Sequence, residues 1–231
     1  MAEACSLSLS LVRLLQLASP ALPIGGYSYS QGLEWIVEDR TLRDAASAQA
    51  WISDVLELVV AHGEAATLWR LLSAADSGEW DGFARWNAWF RCSRESSELR
   101  AETEQMGASL ARLATDLEIL DRPAREALQR AAPITLPGAF ALAARGFAIP
   151  IDAALVGYLW SWLENQVLAA VKLVPLGQVA GQRMLAALGA KIPSVGARAM
   201  NVADEDLSTF APGLALACAW HETQYTRLFR S

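Results

Sequence analysis

Apolar residues recur along most of this chain at three- and four-residue spacing, the period of an amphipathic helix. Leu9, Val12, Leu15 and Leu17 fall on one side of a helix over Ser6–Ala18. The residue before a proline is pushed out of the α region, so Ala18-Ser19-Pro20 ends it. A short helix follows over Ser30–Glu38. A long one is expected over Asp44–Ala75, where Trp51, Val55, Leu58, Val59, His62, Ala66 and Trp69 repeat; Thr41-Leu42-Arg43-Asp44 reads as its capping box. Trp80–Phe90 gathers Phe83, Trp86, Trp89 and Phe90 on one face, and Glu98–Leu120 carries a stripe of Leu99, Met106, Leu110, Leu113 and Leu117. Pro123 suits a first helical turn.

Beyond Pro137 the chain turns small and apolar. Gly138–Phe147 reads as a short helix. Ile151–Val174 is apolar nearly all round, the pattern of a buried helix. Pro175 ends it. Leu176–Leu188 comes next, then Pro193, a loop with Asp204-Glu205-Asp206, and a last helix over Ser208–Phe229. No repeat and no strand pattern interrupts this order. The expected fold is all-α, a single domain over residues 1–231 with roughly eight to ten helices.

Composition sharpens the picture. The 231 residues suffice for a large core, and 53% hydrophobic content with a mean hydropathy of +0.22 calls for either that core or apolar surface kept for partners. A net charge of −6, two lysines and the lack of any basic run argue against nucleic acid. Cys5, Cys92 and Cys218 are odd in number and widely spaced, which fits a reducing cytoplasm better than a disulfide framework. The start of the chain lacks a basic n-region, and the longest apolar tract, Ile149–Leu163, falls short of the ~20 residues a membrane span needs.

The least ordinary stretch is Leu14–Glu34, LLQLASPALPIGGYSYSQGLE. Pro23 and Gly25-Gly26 force a tight turn, directly followed by the hydroxyls of Tyr27, Ser28, Tyr29 and Ser30. Such a turn is either an ordered helix connection or a presented contact surface. Glu34 caps its own helix, balances an arginine or meets a partner. Arg94–Gln105, with Glu95, Glu98, Glu102 and Glu104, reads first as a solvated helix face. Paired carboxylates there also suit acid–base chemistry, but no histidine accompanies them at ligand spacing. Lys172 interrupts an apolar helix, so it either leans out to water or meets an anion or an interface. Gly177 and Gly181, four apart, suit close helix packing, within the core or across a two-fold axis. His62-Gly63-Glu64 and Cys218-Ala219-Trp220-His221 each offer two donors and complete no metal site. There is no nucleophile elbow and no P-loop, so neither catalytic residues nor a nucleotide site of that kind is expected. Tyr225, Arg227 and Arg230 lie in a tail whose residue types are common at interface hot spots, and which would order on meeting a partner.

Four blocks in this order, PALPIGGYSYSQGLE, RESSELRAETEQMGASL, AAVKLVPLGQVAGQRML and HETQYTRLFRS, resemble the UreF-type urease accessory proteins. The resemblance spans nearly the whole chain. It implies a cytoplasmic, homodimeric chaperone and not an enzyme. It implies bridging of UreD (also called UreH) and the GTPase UreG, and nickel insertion into apo-urease. Nickel would pass in transit without a resident site, and GTP would be bound by UreG alone. It tips Tyr27, Ser28, Ser30 and Glu34 toward partner binding and supports the tail with Tyr225, Arg227 and Arg230 as a docking segment; the Tyr27–Glu34 turn, Lys172 and Arg227–Ser231 are expected to form one UreG-facing surface near the dimer axis. The residues before Leu14 and part of the last helix are expected to face UreD. The alternatives are a helical enzyme centred on Glu95–Glu104, and a generic scaffold or peripheral membrane protein.

Overall fold

The computed structural model describes residues 2–231, and side chains from residue 9 onward. Twelve α-helices and no strand occur among the described residues, so the class is as expected and the number is higher. The helices are α1 (Ala2–Leu17), α2 (Leu33–Glu38), α3 (Ala45–Asp54), α4 (Glu64–Ser77), α5 (Trp80–Cys92) and α6 (Ser97–Asp116). Then come α7 (Arg122–Arg130), α8 (Leu136–Gly146), α9 (Ile151–Leu173), α10 (Gln178–Gly189), α11 (Ile192–Asn201) and α12 (Pro212–His221). No helix is long and apolar enough to cross a membrane among the described residues.

Local chemistry sets many of the starts. Asp44 accepts the Ser47 N–H at 2.8 Å while the Ser47 hydroxyl accepts the Asp44 N–H, a capping box. The box therefore lies three residues later than the sequence suggests, and the Thr41 hydroxyl instead donates to Asp39. At the starts of α6, α7 and α8 the side chains of Ser96, Asp121 and Thr135 accept the N–H groups of Leu99, Ala124 and Gly138. Prolines occupy the first turns of α7, α8, α11 and α12.

The expected long helix over Asp44–Ala75 is two helices. Between α3 and α4 the turns widen to π geometry over Val55–Val60, and the Ala61 N–H reaches back five residues to the Leu56 carbonyl. The Ser208 N–H then donates to the freed His62 carbonyl, and the Thr209 hydroxyl to the Ser93 carbonyl. Those bonds hold residues 208–209 extended, so the last helix begins at Pro212 and not at Ser208. It also stops at His221, because the tail beyond it spends its N–H groups elsewhere. Helix α11, unassigned in the sequence, adds to the number.

Helix α4 lies at the centre, packed by α5, α8, α9 and α11. Its Leu68, Leu71 and Leu72 are buried. Helix α9 is the second spine, against which α1, α2, α3 and α10 pack. Gly181 of α10 permits that last contact, since a Cβ there would meet Val171 Cγ2 at 2.9 Å. Gly177 faces open space and makes no such approach. Helix α2 and the turn before it rest between α9 and α12, which brings residues near 30 beside the chain's last residues.

Candidate functional site

The tail is docked on the turn, ordered by this chain's own groups. Ser30 donates both its N–H and its hydroxyl to the Ser231 main-chain oxygen, at 2.6 and 2.5 Å. The Arg230 N–H donates to the Ser28 carbonyl at 2.8 Å. The buried Glu34 carboxylate accepts the N–H groups of Leu228 and Phe229 at 2.6 and 2.8 Å. Charge-assisted bonds of this kind contribute about 1.5–3 kcal/mol each, and a buried carboxylate without them would be costly. Glu34 does not cap its own helix; it replaces the missing helical acceptors of the tail.

A second layer fixes the first. His221 is fully buried, with Nδ1 2.7 Å from Glu98 Oε2 and Nε2 3.3 Å from Glu34 Oε2. A doubly protonated ring donates to both carboxylates, a neutral one to a single side. The other Glu98 oxygen accepts from Arg227 Nη1 at 2.6 Å. Glu102 accepts from the Ser231 hydroxyl at 2.8 Å and from the Gln31 amide at 2.9 Å. Burial, opposed in part by these bonds from Gln31 and Ser231, pushes its carboxyl up to about 7. Gln31 in turn accepts from the Trp162 indole at 2.9 Å. Its left-handed backbone, at φ 54°, is followed by Gly32 at φ 77°. A Cβ on Gly32 would lie 3.0 Å from the Cys218 nitrogen, so only glycine lets α12 approach the turn this closely.

The outer face is aromatic and cationic. Tyr27 is 65% exposed, and Lys172 is exposed with Nζ 5.9 Å from the Tyr27 ring centre and 5.5 Å from that of Phe229. The stacking explains how a lysine sits at the end of an apolar helix. Arg227 and Arg230 are exposed on the tail, Arg227 paired with Glu98 and Arg230 Nη1 3.5 Å from Gln105 Oε1. The turn, Lys172 and the tail thus meet in space. Ser30 and Glu34 lie beneath this face and support it, while Ser28 is half-buried at its edge. Tyr225 projects fully into solvent. The sequence reading passed over Gln31, Glu98, Glu102 and His221 as parts of this frame. Its one available signal was the spacing of Glu98, Glu102 and Gln105, which puts all three on one face of α6.

Behind the frame lies a cavity of about 120 Å³, with the Pro20–Tyr27 stretch on its outer side. Leu22, Met106, Phe140 and Trp162 give it apolar walls. Its inner end is polar: Tyr158 donates to Glu64, Arg94 Nη1 lies 3.5 Å from Glu64, and Glu102 closes the side toward the tail. Burial and the neighbouring Glu64 push the Tyr158 hydroxyl well above its ordinary value. Arg94 stacks on Phe90 at 4.5 Å, and its buried Nε has no acceptor among the described residues. No cluster of three or more His, Cys, Asp or Glu side chains able to hold a metal ion occurs among the described residues. His62, half-exposed, faces the Leu58 carbonyl.

Comparison with known proteins places this arrangement. Residues 42–189 match the UreF family. The urease accessory protein UreF of Azoarcus sp. (strain BH72) is 55% identical, over 96% of each chain. That of Janthinobacterium sp. (strain Marseille) is 49% identical over 96% of this chain and 98% of its own. The chain belongs to the UreF family. A bifunctional urease accessory protein UreEF of Bordetella bronchiseptica is 53% identical over 96% of this chain and 52% of its own length. These relatives are accessory proteins, and this member of the family is accordingly not an enzyme.

Proposed function

We propose that this chain is a urease maturation chaperone that acts as one domain, bridging UreD and the GTPase UreG so that GTP-dependent nickel insertion into apo-urease can proceed. The observation that carries the reading is the docked tail, which sets Phe229 and the exposed Tyr27 of the turn against the exposed Lys172 and carries two further exposed residues, Arg227 and Arg230, over the Glu34 carboxylate that holds its main chain. Aromatic and arginine side chains on a preorganised surface are the groups that dominate binding energy at interfaces. This face is the UreG-binding surface. A bridging protein of this kind acts by binding one nucleotide state of its partner more tightly than the other. GTP resides on UreG, and nickel passes through the assembly as cargo.

Helix α1 supports a second surface. Leu9, Leu11, Val12 and Leu15 are all exposed, as are Leu216 and Trp220 of α12. Apolar groups in such number outside the core suit a partner interface, and we assign them to UreD. The active form is a homodimer in the cytoplasm.

Size-exclusion chromatography with light scattering tests the reading. The chain is mixed with UreD, with and without UreG carrying nickel and a GTP analogue. A complex with two copies each of UreD and this chain that gains two UreG supports it. A chain that ignores both partners overturns it.

A further inference from the structure

The cavity behind the turn has an unmet donor at its inner end. There Glu64 accepts from the Tyr158 hydroxyl on one oxygen and faces Arg94 Nη1 with the other, while Glu102 accepts from Gln31 on one and from Ser231 on the other. Arg94 lines this end with a side chain only 9% exposed, and its buried Nε–H has no acceptor among the described residues. An unmet buried donor is costly, so the space calls for an acceptor. We propose that the cavity binds a small neutral aromatic molecule carrying one hydroxyl or carbonyl oxygen, and that this guest stiffens the turn that presents Tyr27.

Size and walls fit a single ring. The space measures about 120 Å³, and a cavity of ~150 Å³ holds benzene. Met106 and the rings of Phe140 and Trp162 line it, partners for sulfur and edge-on contacts with an aromatic guest. Exposed Pro20, Tyr27 and Leu168 border it too, so a guest enters between the turn and α9. Charge selects against ions. Glu64, Glu102 and Glu164 border the space against one lining cation, Arg94, and repel an anion. A cation gains nothing from an N–H donor, and each carboxylate oxygen at the inner end already faces a protein donor. A neutral oxygen takes the Arg94 Nε–H without either penalty.

The outer wall couples the guest to the turn. Ile24, Gly26 and Tyr27 all line the space. The turn closes through the Ser28 N–H on the Gly25 carbonyl at 3.0 Å and the Tyr29 N–H on the Gly26 carbonyl at 3.2 Å. Opening these bonds removes the wall and with it the site. A guest held only by the closed turn therefore raises protection of those two amides, about tenfold at about ten times its Kd.

Phenol is the probe, added to the full chain and followed by NMR. Saturable shifts of the Met106 methyl and the Trp162 indole N–H are expected, with binding about tenfold tighter than that of toluene, which has no oxygen. Gly26→Val directs a side chain from the turn onto the Met106 methyl, since a Cβ there already lies 3.2 Å from Met106 Cε. It is expected to weaken phenol at least tenfold. No saturable shift at millimolar phenol means that water alone fills the space, and overturns the proposal. Toluene binding as tightly as phenol, benzoate or benzylamine binding more tightly, or unchanged affinity in Gly26→Val also overturns it. Should the variant fail to fold, the wild-type Arg94 Nε–H signal decides: it is expected to move with phenol and not with toluene, and one that stays in place at saturation overturns the site. Amide exchange at saturating phenol reads the coupling, and unchanged protection of Ser28 and Tyr29 overturns the stiffening.

Discussion

Ser30 gives two hydrogen bonds, from its main-chain N–H and its hydroxyl, to one main-chain oxygen of Ser231, across 201 positions of sequence. The turn and the tail are thereby one structural unit. Each supplies what the other lacks: the tail has N–H groups without helical acceptors, and the turn places Glu34 to take them. The exposed face exists only while both are together.

Removing the Glu34 carboxylate charge therefore acts locally. Glu34→Gln presents one acceptor oxygen where two are used, and leaves one of the Leu228 and Phe229 N–H groups without its charged partner. A loss of about 1.5–3 kcal/mol corresponds to a 10- to 150-fold fall in protection of those two amides. Amides of α4, buried at the centre, are expected to keep theirs. Equal loss throughout would mean that the tail is part of the global folding unit.

Asn87 makes the opposite case, a buried amide whose loss is felt everywhere. Its Nδ2 donates to the carbonyls of Ala131 and Pro133, and its Oδ1 accepts from the Thr135 N–H and hydroxyl. It thus ties α5 to the start of α8. Asn87→Ala strands several buried polar groups and is expected to cost about 2–4 kcal/mol. At this chain length that lowers Tm by about 4–16 °C, measured by differential scanning calorimetry.

Thiol reactivity separates two cysteines. Burial pushes the Cys218 thiol up to about 12, whereas Cys92 is exposed. Only the thiolate reacts. Alkylation at pH 8 followed by peptide mapping is expected to modify Cys92 in the native protein and Cys218 only after denaturation. Native labelling of Cys218 would show that α12 opens readily.

Glu222 gives a pH dependence of known sign. It accepts from the Ser97 hydroxyl and N–H at 2.7 and 2.8 Å, at the start of α6, and the Ser97 hydroxyl bond holds its carboxyl below the ordinary 4.5. A depressed value stabilises above the unfolded-state value and is lost as pH falls through the folded one. The group is exposed, so screening limits the effect to about 0.5 kcal/mol. Denaturant unfolding of Glu222→Gln against wild type is expected to show that difference at pH 7 and none near pH 3.

The helical class, the Pro-Gly turn and the exposure of Tyr27, Lys172, Arg227 and Arg230 were legible in the sequence because each rests on local chemistry: apolar period, proline sterics, aromatic and cationic side chains. It missed the break in Asp44–Ala75 because the His62 carbonyl just past the π-type turns at Val55–Val60 is taken up by the Ser208 N–H, far away along the chain. It extended the last helix to Phe229 because nothing local to Leu228 or Phe229 announces that their N–H groups go to Glu34. Glu98 and Glu102 read as a solvated face for the same reason. Carboxylates at helical spacing are usually wet, and only the distant His221, Gln31 and Ser231 make these two a buried frame.

The division between frame and face yields the decisive prediction about binding. Tyr27 and Arg230 are exposed, and their side chains hold no part of the turn–tail main-chain bonds. Tyr27→Ala and Arg230→Ala are expected to weaken UreG recruitment by about 2 kcal/mol each, roughly 30-fold, with helicity and UreD binding unchanged, and Tyr27→Ala is expected to keep tail protection as well. Ser30→Ala removes a buried donor, so it is expected to lose tail protection and UreG recruitment together. Co-elution with UreG and amide exchange, measured on the same three variants, separate the two effects. If Tyr27→Ala and Arg230→Ala both recruit UreG normally, the face belongs to some other contact. If Ser30→Ala loosens the tail yet recruits UreG normally, recruitment does not require the docked tail.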